Sequence, residues 1–207
     1  MNKSEKFWDK RSKEYDRQEE KYEQDYNKVI ENTKKFLNIN DIALDYGCGT
    51  GIVTNKIADN VKEIHGIDIS SKMIVVAKRK AEERNIQNIT YLQSTIFDDR
   101  YKKESFNVIL AFNILHLLED TQKVMQRINE LLKPGGLFIS ATACMGEKKT
   151  FIGILLFLLN KLRIIPYTKF LKFSELEGLI ANGNFQIIKT EDLHDTPPNY
   201  FVVAKKQ

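Results

Sequence analysis

Three glycines on alternate positions, Gly47, Gly49 and Gly51, close the short apolar run Ile42-Ala43-Leu44-Asp45-Tyr46 and open a segment, Ile52 to Ala58, with helical spacing. A strand, a tight loop and a helix start in that order form a ligand cradle. Glycine permits positive φ and lets a ligand lie against bare backbone, and a helix N-terminus offers unpaired N–H groups. Asp45 stands two residues before the first glycine, where its carboxylate faces the occupant of the loop. A pyrophosphate is repelled there, whereas an ammonium or sulfonium is attracted. The G-x-G-x-G spacing also departs from the G-x-G-x-x-G of dinucleotide folds. A second acid, Asp68, ends the run Glu63-Ile64-His65-Gly66-Ile67-Asp68. It lies about 20 residues beyond the first glycine, where an open α/β fold presents a carboxylate to ribose hydroxyls. His116 follows another apolar run, and its titration range suits a general base. His65 and His194 have weaker claims, and no His, Cys, Asp or Glu set has metal-ligand spacing.

These groups work together only if the strands carrying them end at one edge. Ile42–Tyr46, Glu63–Asp68, Ile89–Gln93, Ser105–Ala111 and Leu137–Thr142 read as parallel strands. Ile52–Ala58, Met73–Arg84 and Asp120–Leu132 read as helices between them, with Ser70 and Ser71 as candidate caps before Met73. Lys133-Pro134-Gly135-Gly136 reads as a helix stop and turn. Phe173–Asn182 follows as an amphipathic helix capped by Ser174, then strands Phe185–Thr190 and Tyr200–Ala204. The stretch between those two, with Pro197 and Pro198, is too short for a crossover helix, so they pair antiparallel.

Two segments fall outside this alternation. Residues 1–40 read as a helical lid: from Ser4 to Leu37, Trp8, Tyr15, Tyr22 and Val29 recur every seven residues, with Tyr26 and Ile30 beside them. That stripe packs on the domain edge, closes over a small-molecule site, or does both. The remaining 41–207 form the main domain, interrupted at 145–172 by an insertion rich in Ile, Leu and Phe. Phe151 to Leu159 is apolar almost all round, and Leu162 to Tyr167 continues it. It is buried under the lid, or it forms a substrate pocket, a dimer contact or a membrane-surface contact.

The glycine motif with Asp45, the acid Asp68 and the closing hairpin resemble the class I S-adenosylmethionine-dependent methyltransferases. The resemblance implies a doubly wound, mostly parallel α/β sheet of seven strands with an antiparallel C-terminal hairpin, in three α/β/α layers. It implies that S-adenosylmethionine is held by Asp45, Gly47, Cys48, Gly49 and Asp68, with Ile69 and Met73 flanking the adenine. Phe112 lies beside the methionine part, and Tyr15 closes over from the lid. Where the family carries an acid for the adenine amino group this chain has Thr95, so Thr95 and Ile96 are the expected contacts at that edge. The implied activity is methyl transfer to a small apolar or amphipathic acceptor, with His116 as the candidate catalytic base. A nicotinamide-dependent oxidoreductase and a non-catalytic domain sensing S-adenosylmethionine or its product S-adenosylhomocysteine are the alternatives.

Composition agrees with a small-molecule enzyme. Among 207 residues, 32 Lys and Arg against 28 Asp and Glu leave a net charge of +4, spread too evenly for nucleic-acid binding. The cluster Lys78-Arg79-Lys80 is followed by Glu82 and Glu83 and reads as a solvated helix face. Two cysteines, Cys48 and Cys144, suggest reduced thiols and no disulfide framework. The charged N-terminus lacks a signal peptide's apolar core, and Phe151–Leu159 falls short of the roughly 20 residues of a membrane span. The expectation is a cytoplasmic monomer or homodimer with a small-molecule acceptor and no transmembrane segment.

Overall fold

The structure, a computed structural model, describes residues 3–148, 155, 159–161, 167–195 and 198–207. The apolar helix expected over Phe151–Leu159 and its continuation lie largely outside these residues. In chain order the N-terminal segment, expected as a lid, carries α1 (Lys3–Arg11), α2 (Tyr15–Glu19), a 3-10 turn (Glu20–Tyr22) and α3 (Glu23–Lys34). The main domain follows with β1 (Ile42–Tyr46), α4 (Thr54–Ile57), β2 (Glu63–Asp68), α5 (Ser71–Glu83), β3 (Ile89–Gln93) and β4 (Phe106–Phe112). It ends with α6 (Thr121–Leu131), β5 (Leu132–Ala143), α7 (Phe173–Ala181), β6 (Phe185–Asp195) and β7 (Pro198–Lys206).

All seven strands form one sheet in the order β3-β2-β1-β4-β5-β7-β6. The first five are parallel, and β7 pairs antiparallel with both β5 and β6. Burial on both faces follows the period-two alternation of strand side chains. Leu44, Ile109, Phe138 and Val202 pack on Met125 and Ile128 of α6 and Leu176 and Ile180 of α7. Their neighbours Ala43, Leu110, Ile139 and Val203 face the opposite way, against Val29 and Ile30 of α3 and Ile57 of α4. The expected three layers result. Among the described residues no helix is long and apolar enough to cross a membrane.

Local differences from the sequence reading have physical causes. The single helix expected from Ser4 breaks after Arg11, where Ser12 donates its hydroxyl to the Asp9 carbonyl at 2.9 Å and competes with the helix ladder. The helix after the glycine loop shrinks to α4 and a 3-10 turn. Lys133 to Gly136 does not end the pairing. Leu132 pairs with Phe106 and Leu137 with Val108, so the four residues bulge from a continuous strand, with Gly135 at φ +72°. Helix α7 starts at Phe173, and Glu175 accepts the Lys172 N–H at 2.8 Å, so the cap is Lys172, two residues before Ser174. At α5, Ser70 is the cap and accepts from the Met73 N–H at 3.1 Å.

The sheet order sets where a ligand can sit. From β1 the chain runs outward to β2 and β3, then returns to start β4 on the other side of β1. The loops after β1 and β4 therefore diverge, leaving a crevice at the carboxyl ends of these strands. The glycine loop and the segment Asn113–Leu118 are its walls.

Candidate functional site

Residues 47–51 fold back on β2. The N–H groups of Gly47 and Cys48 both donate to the Ile67 carbonyl, at 2.8 and 3.0 Å, and the Gly49 N–H donates to Asp68 Oδ2 at 3.1 Å. These donors are spent inside the protein, so this part of the loop offers a bare backbone surface. Gly47 sits at φ +76°, and a Cβ there would come within 2.9 Å of Ile114. Gly49, at φ +54°, would point a Cβ into open space, with Tyr15 the nearest group at 4.0 Å. That opening belongs to a cavity of about 100 Å³.

Trp8, Tyr15, Gly47, Gly49, Asp68, Ile69, Met73, Phe112 and Asn113 line this smaller cavity. Asp68 is fixed by Gly49 on one oxygen and by the Ser70 N–H, at 2.8 Å, on the other. Each oxygen keeps a lone pair for a hydroxyl. Burial pushes the Asp68 carboxyl up, and the N–H groups of Ser70 and Gly49 restrain the rise. Asp45, 2% exposed, accepts from the Thr54 hydroxyl at 2.6 Å. It borders an adjoining niche of about 40 Å³ with Gly47, Cys48, Gly49 and Phe112. Burial drives its carboxyl up to about 7. A cation placed in that niche would return it to the ionised form.

Of the residues expected around this ligand, the structure brings together Tyr15, Asp45, Gly47, Cys48, Gly49, Asp68, Ile69, Met73 and Phe112 on the two adjoining spaces. Thr95 and Ile96 do not line either. Ile96 is fully buried, with its carbonyl accepting from Arg127, while Thr95 is exposed. The nearest following acid, Asp98, is held by Arg100 and Ser94, which keep its carboxyl well below the usual range.

A second cavity, of about 230 Å³, opens on the other side of Tyr15. It shares Trp8, Tyr15, Asn113 and Leu117 with the first. The lid contributes Trp8, Tyr15, Tyr22, Tyr26 and Val29, the aromatic stripe of the sequence, together with Arg11, Glu19 and Asp25. The sheet contributes a row along its carboxyl edge. Asn113 N–H donates to the Ala141 carbonyl at 2.7 Å, Ala143 pairs with Asn199, and Asn199 pairs with His194. Asn113 itself adopts φ +54°, a left-handed conformation that asparagine tolerates better than most residues.

His116 lines this larger cavity and is 9% exposed, with Nδ1 lacking a hydrogen-bond partner. Burial pulls its pKa down to about 4, so the ring is neutral near pH 7. His65 lies elsewhere, in β2, 2.8 Å from Glu63 and edge-on to Phe106. His194, which the sequence placed in a polar turn, is in β6 with Nδ1 3.4 Å from Asp25. Sequence reasoning also missed Glu19, Asn113 and Asn199 as cavity residues. The seven-residue stripe pointed to Tyr26, but nothing local marks Asn199 or His194, which the sheet register alone delivers.

A switch-point crevice floored by glycine, with one acid on β1, another on β2 and an antiparallel closing strand, defines the class of S-adenosylmethionine-dependent methyltransferases. A family model described as a methyltransferase domain matches residues 37–163, and the chain belongs to that family. It is an S-adenosylmethionine-dependent methyltransferase, and the nicotinamide alternative falls. A ubiquinone biosynthesis O-methyltransferase from Rickettsia bellii (strain OSU 85-389) is 29% identical over 199 residues, covering 87% of this chain and 82% of that protein. One of the same name from Shewanella sp. (strain ANA-3) is 30% identical over 145 residues, covering 67% of this chain and 61% of the relative. A solved structure from Thermotoga maritima, described as a possible histamine N-methyltransferase, shares the fold with a TM-score of 0.73 at 17% identity, covering 97% of this chain and 98% of that one.

The residues of the smaller cavity and of the niche beside it fit this cofactor. Asp68 suits a hydroxyl pair, Ile69 and Met73 give an apolar wall for a purine, and Asp45 is a buried carboxyl that a cation would ionise.

Proposed function

We propose that the protein methylates the hydroxyl oxygen of a small aromatic, amphipathic acceptor held in the larger cavity. The carrying observation is the pairing of spaces. A ring-lined cavity of about 230 Å³ adjoins the glycine-floored one, with Tyr15 and Asn113 on both. The O-methyltransferase names of the relatives support oxygen as the methylated atom. Trp8, Tyr15, Tyr22 and Tyr26 favour a planar apolar ring, and residues 1–40 act as the lid that supplies them.

In this reading Asp45, Gly47, Cys48, Gly49 and Asp68 hold S-adenosylmethionine, with Ile69, Met73 and Phe112 against its flat and apolar parts. When bound, the cofactor supplies a methyl group already activated by a positively charged sulfur. The chain's work is then to align the acceptor, exclude water and manage one proton. Asn113 holds the wall between the two spaces, through its Ala141 contact and its Oδ1, which accepts from Asn199 at 3.4 Å. His116, uncharged and lining the same cavity, contributes one hydrogen bond to the acceptor oxygen.

The test uses methyl-labelled S-adenosylmethionine with 4-butylphenol and, in parallel, benzylamine. Label in the phenol ether is the expected result; label in the amine alone overturns oxygen as the target. His116→Ala is expected to lower turnover at least tenfold while S-adenosylhomocysteine affinity stays within about threefold, the split of a contact made on the acceptor side. Unchanged turnover removes His116 from the site.

A further inference from the structure

The acceptor's proton needs a destination, and the lid provides a better one than the histidine. Glu19, at the end of α2, lines the larger cavity. Its carboxylate accepts from the Tyr26 hydroxyl at 2.9 Å, and Tyr15 lies near enough for the charge of Glu19 to raise its hydroxyl pKa further. Tyr15 in turn borders the larger cavity and both smaller spaces. Tyr15, Tyr26 and Glu19 thus line one wall, from the junction of the cavities to a carboxylate at the larger one. We propose that Glu19 is the general base of methyl transfer, taking the acceptor's hydroxyl proton while Tyr26 holds it toward the reacting oxygen. This inference rests on the hydroxyl-acceptor reading above.

Base strength agrees with the geometry. His116, the base expected from the sequence, has a pKa pulled down to about 4 by burial. Burial instead raises Glu19 above the carboxylate value of 4.5, against the lowering effects of the Tyr26 hydrogen bond, Lys21 and Arg11, with Asp16 adding to the rise. Asp25, His194 and His116 are the other titratable side chains bordering the cavity, apart from its tyrosines. Arg11 is engaged by Gln18 at 2.8 Å and lies over the Phe7 ring, so it acts on Glu19 through charge alone. Burial keeps the hydroxyls of Tyr15 and Tyr26 protonated at neutral pH, so they donate and do not compete for the proton. In the step, the acceptor's O–H bond breaks and its proton joins the Glu19 carboxylate. The oxygen's electron pair forms the O–CH3 bond, the CH3–S bond breaks with its pair remaining on sulfur, and sulfur's positive charge is lost.

The experiment compares two phenols of different acidity in wild type and Glu19→Gln. 4-Butylphenol arrives protonated, whereas 4-nitrophenol is substantially ionised at neutral pH and needs no base. Glu19→Gln is expected to lose at least 100-fold in kcat/KM on 4-butylphenol and less than threefold on 4-nitrophenol. Its binding of the nitrophenolate, read by absorbance with S-adenosylhomocysteine present, should be as tight as wild type or tighter, because a negative charge has been removed. Tyr26→Phe takes away a hydrogen bond that favours the ionised carboxylate, so the pH at which kcat/KM on 4-butylphenol levels off should move up. Equal losses on both phenols, or an unmoved pH profile in Tyr26→Phe, overturn the assignment. Failure of wild type to methylate either phenol instead overturns the acceptor reading on which the assignment rests.

Discussion

The two halves of the crevice are built differently. On the cofactor side, Asp45, Gly47, Gly49, Asp68, Ile69 and Met73 come from two adjacent strands and the segments that immediately follow them. On the acceptor side, Glu19 and Tyr26 come from the lid, His116 from beyond β4, and His194 and Asn199 from the paired strands at the far end of the chain. In the proposed reading, the first half recognises one fixed molecule with local backbone geometry. The second gathers side chains from segments that can vary independently, as suits a site whose occupant differs between relatives of one fold.

The sharpest test of the local half is Asp68→Ala. It removes the acceptor of the Gly49 and Ser70 N–H groups and the proposed hydroxyl clamp together. Hydrogen bonds to a charged group contribute about 1.5–3 kcal/mol each, so two lost to the ligand predict a loss of S-adenosylhomocysteine affinity of roughly 100-fold or more. Calorimetry measures it. A loss below tenfold would show that the cofactor half does not centre on this acid.

That half was legible because its chemistry is local. A carboxylate two residues before a glycine, and another at the end of the next strand, need only β1 and β2 to lie side by side, which the pairing Asp45↔Gly66 and Tyr46↔Ile67 provides. Thr95 and Ile96 show the limit: strand β3 was read correctly, but the direction of the residues beyond it depends on how Ser94, Asp98 and Arg127 fasten that loop. On the acceptor side, the stripe of Trp8, Tyr15, Tyr22 and Val29 was visible as a pattern although the helix carrying it is broken three times. Glu19 was invisible, because one more acid among Glu14, Asp16, Glu20 and Glu23 carries no signal until Tyr26 is seen to reach it.

Cofactor affinity should also depend on pH through Asp45. Its folded carboxyl lies near 7, above the ordinary value of 3.8, so it binds a proton below neutrality that a cationic ligand must displace. Affinity for S-adenosylmethionine should therefore rise with pH, by at most about tenfold per unit, and flatten above about pH 7. The same raised value means that folding loses stability as pH rises from the unfolded pKa toward 7, since the buried form prefers the proton. Asp45→Asn should abolish the slope of binding. A slope that persists in the variant would assign the proton elsewhere in the site.

The smallest expected effect concerns one of the contacts that join the lid to the cofactor half. Asp16 on α2 accepts from the Thr50 hydroxyl in the glycine loop and from Lys80 of α5 at 2.7 Å. Other lid bonds reach the acceptor half: Lys28 to the Leu193 carbonyl at 3.1 Å and Asn32 to Glu191 at 3.1 Å. With Asp16 44% and Lys80 16% exposed, the pair is worth about 0.5–1 kcal/mol after solvent screening. Asp16→Ala is therefore expected to weaken S-adenosylhomocysteine binding by about two- to fivefold, with the lid's acceptor-side bonds intact. Added salt should produce part of the same loss in wild type and little further loss in the variant, because salt screens the same pair that the substitution removes. If Asp16→Ala instead lowers kcat on the phenol while cofactor affinity holds, the lid moves as one piece, and the division between a local half and an assembled half ends at the glycine loop.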